Sequence, residues 1–102
     1  MGNKTISRIR KIGRETRFSE MPEEEQKIAI EWISNNFIPA DRLYKRWSSY
    51  GLKHILEWDT DLYMTNTAFK EAMLICGYEP DDYKSKNVYY RISRKSQALK
   101  ER

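Results

Sequence analysis

A chain of 102 residues, 39% hydrophobic and 13% aromatic, has material for one modest core, which predicts a single domain and argues against global disorder. Its formal net charge of +4 is unevenly placed: residues 1–17 carry six cations against Glu15, residues 84–102 carry seven against Glu101, and the stretch 18–83 carries thirteen carboxylates against six cations. The single cysteine, Cys76, excludes an internal disulfide, and no apolar run reaches the ~18 residues of a membrane span.

The first 17 residues have little pattern and no helix cap, and read as a basic flexible arm. Ile6, Ile9 and Ile12 recur between the cations, but Gly13 and the lack of Trp, Phe or Leu on that face argue against a membrane-surface helix. The segment also lacks the apolar stretch of a signal peptide. A helix start follows, with Ser19 as cap, Pro22 in the first turn and Glu23, Glu24 and Glu25 at the positive end of the dipole. Ile28, Ala29, Trp32 and Ile33 share a face, and the spacing predicts a helix over 22–36 that ends at Asn35-Asn36. After the apolar connector Phe37-Ile38, Pro39 and Asp41 begin a second predicted helix in which Leu43, Tyr44 and Trp47 lie together.

Ser48-Ser49 breaks that helix and caps a third, over 49–58. There Leu52, Ile55 and Leu56 point inward, and Lys53 and Glu57 form an outward pair at helical spacing. Gly51, near its start, suits a close approach. Asp59-Thr60-Asp61 reads as a turn, and Leu62-Tyr63-Met64 as a short strand. Thr65 caps a fourth helix over 66–77, with Phe69, Ala72, Met73 and Cys76 at i, i+3, i+4 and i+7 and Gly77 as its stop. A polar, turn-rich stretch over 81–87 leads to Val88–Ser93, whose alternation puts Val88, Tyr90 and Ile92 on one face and Tyr89, Arg91 and Ser93 on the other.

Helices followed by a small β-element with a polar tip give a fold class that is mainly α with a small β-hairpin, a winged helix-turn-helix-like single domain. It spans 18–93, between the basic arm 1–17 and a basic tail 94–102, around a core of Trp32, Leu43, Trp47, Leu56, Phe69 and Met73.

The residues exclude most chemistry. One histidine and one cysteine, far apart, cannot make a zinc site, and Asp59 and Asp61 lack the rest of a calcium loop. Four scattered glycines form no phosphate loop, and Cys76 lies on an apolar stripe with no base. The expectation is a non-enzyme without cofactor.

Charge and fold together point to nucleic acid, most simply duplex DNA. In a winged helix the helix after Thr65 enters the major groove, where Thr65, Asn66, Thr67 and Lys70 are the candidate contacts. The wing, with Lys84, Lys86 and Asn87, would sit against the backbone, and Arg91, on the strand, is a further candidate contact. Arg42, Lys45 and Arg46 form a patch on the second predicted helix, and Arg8, Arg10, Lys11 and Arg14 suit a minor-groove arm.

Leu43-Tyr44-Lys45-Arg46-Trp47, Phe69-Lys70-Glu71-Ala72-Met73-Leu74, Gly77-Tyr78-Glu79 and Tyr89-Tyr90-Arg91-Ile92 together resemble the C-terminal winged-helix domain of phage and poxvirus-type helicase-primases. Ser49-Tyr50-Gly51-Leu52-Lys53-His54, with Asp59-Thr60 and Thr65-Asn66 after it, also resembles short proteins of phages and prophages of Gram-positive bacteria. The resemblance covers about half the chain and no motor domain. It implies a winged-helix accessory protein of a mobile element, in the cytoplasm of a host bacterial cell.

The alternative is a protein-binding phage inhibitor of a host nucleic-acid-processing machine, for example an anti-CRISPR that occludes a nuclease. Tyr50, Trp58, Tyr63, Tyr78, Tyr83 and Tyr89 are its candidate contacts. A homodimer through such a patch would serve either reading.

Overall fold

A computed structural model describes residues 15–100 and shows three helices and a two-stranded antiparallel pair in one domain. Helix α1 (Glu23–Asn36) starts where Pro22 stands at the cap position and three glutamates fill the first turn. Ser19 does not cap it; it lies in a short 3-10 turn, Phe18–Glu20, that precedes the helix. Ala29, Trp32 and Ile33 are the buried stripe, and Ile28 falls outside it and is exposed.

The second predicted helix is not formed. Pro39–Tyr44 is instead strand β1, which pairs antiparallel with strand β2 (Tyr90–Ile92). Pro39 sits opposite Ile92 and Tyr44 opposite Tyr90, so the register shifts and β1 bulges between them. Pairing continues past the strand ends, with the Ser93 amide donating to the Ile38 carbonyl at 2.7 Å. Helical spacing of Leu43, Tyr44 and Trp47 is real, but a distant partner strand outcompetes it. Leu43 and Trp47, expected in the core, are only half-buried: Trp47 packs at its rim and Leu43 lines a surface groove instead.

Helix α2 (Ser49–Thr60) buries Leu52, Ile55 and Leu56 as the periodicity requires. Asp61 follows in the left-handed region, with φ 62°. Leu62–Met64 is not a strand; it is an irregular connection tied down by the Met64 amide, which donates to Glu57 Oε2 at 2.9 Å. Helix α3 (Asn66–Ile75) is capped by Thr65, whose Oγ1 accepts from the Ala68 amide at 3.0 Å. Gly77, at φ 93°, reverses the chain, and the Tyr78 amide closes on the Met73 carbonyl at 2.9 Å.

The core sits where the helices meet β2. Trp32, Leu56, Phe69 and Met73 from the helices pack with Val88, Tyr90 and Ile92, the face that the strand alternation singles out. Burying one such side chain fully contributes roughly 1.5–3 kcal/mol. Residues 94–99 are not a free tail. A second 3-10 turn, Gln97–Leu99, buries Ala98 and Leu99 in the same core, and buried Ser96 accepts from the Ile38 amide through Oγ at 2.8 Å. The domain therefore extends to Leu99.

Candidate nucleic-acid interface

Two surfaces carry the sequence-predicted contacts. The first is the start of α3 and the loop before β2. The loop is built by its own side chains: the Asp81 amide donates to the Tyr89 carbonyl at 3.0 Å, and the Tyr89 amide returns to Asp81 Oδ1 at 2.8 Å. At the tip Asp82 accepts from Ser85 Oγ at 2.7 Å and from the Lys84 amide at 2.9 Å. These bonds, the serine's first, hold the Asp82 carboxyl below the usual carboxylate range. Tyr83 donates to Glu79 Oε1 at 2.7 Å, which raises its phenol.

Helix α3 holds this loop rather than presenting a reading face. Asn66 is 5% exposed, and its Nδ2 donates to the Lys86 carbonyl at 2.7 Å and to Asn87 Oδ1 at 3.1 Å. Lys70 Nζ donates to the carbonyls of Ser85 and Lys86, at 3.2 and 3.0 Å. Thr65 is buried as the helix cap and donates to the Thr16 carbonyl, while Thr67 donates to the Glu15 carboxylate. The expectation that Thr65 and Asn66 face outward is thus corrected: the loop and residues 15–16 cover the start of the helix. Beyond it, Glu71 accepts from Arg17 Nε at 3.1 Å and from the Phe18 amide at 2.9 Å, and Leu74 and Ile75 are exposed. Of the loop's contacts, the side chains of Lys84 and Lys86 remain exposed.

The second surface is the β-ribbon. Arg42, Lys45 and Arg46 lie on β1 and just after it, not on a helix. Arg91 is the outward residue of β2, and Arg94 and Lys95 follow that strand. All six are exposed, and none is in an ion pair among the described residues. Segments 38–46 and 88–96 contain one carboxylate, Asp41. Arg42 and Arg94 line one shallow groove, Arg91 and the carboxylate Glu79 line a second, and Ala40 belongs to both, so the two are contiguous. Antiparallel pairing brings together cations some fifty positions apart in sequence; Arg94 and Lys95, read from sequence as tail, belong to this strip because they continue β2. Arg8, Arg10, Lys11 and Arg14 lie outside the described residues.

The site's chemistry is that of an anion surface. Guanidinium and ammonium groups without carboxylate partners are free to bind phosphate oxygens. Among the described residues no group of three or more His, Cys, Asp or Glu side chains is placed to hold a metal, and no helix is long and apolar enough to cross a membrane. Burial raises the Cys76 thiol above its ordinary 9.0, against the smaller lowering effect of the Ser34 hydrogen bond. A raised thiol is the reverse of an activated nucleophile. No protein-family model, curated protein or solved structure matches this chain.

Proposed function

We propose that this chain is a non-enzymatic accessory protein of a phage or mobile element that binds nucleic acid in the host cytoplasm, gripping backbone phosphates along the β-ribbon. The observation that carries the reading is the strip Arg42, Lys45, Arg46, Arg91, Arg94 and Lys95, exposed and without an ion pair among the described residues, six cations against Asp41 on the strand and Glu79 in the groove beside Arg91. Lys84 and Lys86 on the loop and the cations of residues 1–14 add charge of the same sign. The resemblance to winged-helix domains of helicase-primases supports the mobile-element origin.

Base reading by α3 is not part of the proposal, because Asn66 and Lys70 spend their donors on the loop. Contacts to phosphate position a protein without reading sequence, so low sequence preference is expected. The test is a fluorescence-anisotropy titration with mixed-sequence duplex DNA at low and at physiological salt. Affinity that falls steeply with salt supports the reading. No binding at low salt ends it.

A further inference from the structure

The outer side of α2 carries aromatic rings where a solvated helix ordinarily carries charge. Tyr50, His54 and Trp58 follow one another at steps of four, on the side away from Leu52 and Leu56. Trp58 is 83% exposed, and Tyr63, in the connection after the helix, is 69% exposed. Tyr50, His54 and Tyr63 have ring contacts of their own. Tyr50 and His54 meet edge to face with centroids 4.4 Å apart. Between the rings lies Lys53, expected to face solvent but in fact 5% exposed. Its ammonium is 5.3 Å from the Tyr50 centroid and 5.8 Å from that of Tyr63, and 3.2 Å from Glu57 Oε2. Wet tyrosine and tryptophan rings are what interface anchors are made of, because covering them removes much apolar area at little conformational cost.

The charge around the rings selects the occupant. From Tyr50 to Phe69 the chain has Glu57, Asp59 and Asp61 against one cation of lysine or arginine type, Lys53, whose ammonium is paired with Glu57, and Glu20 and Glu25 lie beside Tyr63. Tyr63 also borders an apolar hollow shared with Met21, Met64, Glu20 and Glu25. A negative, aromatic surface repels phosphate and attracts cations, and the rings of Tyr50 and Tyr63 already flank the ammonium of Lys53. We infer that this face docks a protein partner through arginine or lysine side chains laid over Trp58 and Tyr63, with Asp61 and Glu25 supplying the flanking charge. The inference does not depend on nucleic-acid binding; the β-ribbon, with its opposite charge, is a separate surface.

The test uses the full chain and a fluorescein-labelled dodecapeptide of alternating arginine and glycine, read by anisotropy, with backbone amide NMR shifts to locate the site. Binding is expected with shifts confined to residues 50–63 and to residues 20–25, which line the hollow beside Tyr63. It should weaken about tenfold in Trp58→Ala/Tyr63→Ala, which leaves every charge in place, and several-fold in Asp61→Asn. Both ring positions are exposed, so urea unfolding of the double variant should stay close to that of the parent. Shifts located elsewhere, equal affinity in the ring variant, tighter binding of an oligothymidine strand to residues 50–63, or no binding of the peptide would each overturn the inference.

Discussion

Replacing Asn66 with alanine separates a loop clamp from a base reader. In the structure its amide nitrogen makes two hydrogen bonds, at 2.7 Å to the Lys86 carbonyl and 3.1 Å to Asn87 Oδ1, from a side chain 5% exposed. Its own Oδ1 is buried without a partner among the described residues, so the truncation also removes one unsatisfied acceptor. Lys86 and Asn87 are exposed residues, so water can replace part of what they lose. Two net hydrogen bonds at about 0.5–1.5 kcal/mol each, less the relief at Oδ1, give a destabilisation of about 1–2 kcal/mol. For a domain of this size that lowers Tm by roughly 5–10 °C. Urea unfolding followed by circular dichroism at 222 nm reads the stability, and duplex-DNA anisotropy at low salt reads binding. The expected result is lower stability with binding to mixed-sequence duplex little changed at a temperature where the variant is folded. Unchanged stability together with a large loss of DNA binding would instead place the Asn66 amide on the ligand and not on the loop.

The remaining expectations concern packing and pH. A Cβ added to Gly51 would lie 2.7 Å from Cε3 of the Trp47 ring, so Gly51→Ala should destabilise by about 1–2 kcal/mol in urea unfolding, its overpacking outweighing the helix propensity it gains. The Tyr90 hydroxyl is wholly buried with no partner among the described residues, so Tyr90→Phe should leave stability unchanged or raise it by up to about 1 kcal/mol, against the usual cost of a core substitution. Burial foremost, with the charge of Asp81 behind it, keeps that phenol protonated far beyond its ordinary range. Burial likewise raises Cys76 and Tyr78 above their unfolded values. The folded state then holds protons that the unfolded chain releases, so their contribution is fully present below pH ~9 and is lost as pH rises through the folded values, which urea midpoints across pH 7–11 should show as a fall on the alkaline side only. For the same reason Cys76 should alkylate more slowly than a free thiol at pH 7.5.

What was legible in the sequence is what local periodicity encodes. The apolar stripes of α2 and α3, the Thr65 cap, the Gly77 stop and the inward set Val88, Tyr90 and Ile92 all stand where their spacing puts them. The fold class, mainly α with a small antiparallel element, follows from them. What local pattern cannot encode is a partner far along the chain. Residues 39–47 have helical spacing, yet 39–44 is extended because Tyr90–Ile92 pairs with it. Ala98 and Leu99 look like part of a charged tail until Ser96 meets Ile38 and turns them into the core. The site divides in the same way. Arg42, Lys45, Arg46 and Arg91 were readable as exposed cations, but their grouping needed the strand pairing. Asn66 and Lys70 have the right residue types at the start of a helix, and only the return of residues 85–87 shows their donors already used.

The most direct measurement compares the salt dependence of duplex-DNA binding by the parent chain with that of Arg42→Ala/Arg91→Ala/Arg94→Ala. All three side chains are exposed and unpaired among the described residues, so the variant should fold. Each phosphate contact contributes about 0.9 to the slope of log affinity against log salt, so losing three should flatten the slope by about 2–3 and weaken binding at low salt. A slope and affinity equal to the parent's would contradict the account, and would mean that the β-ribbon is not where this protein meets a polyanion.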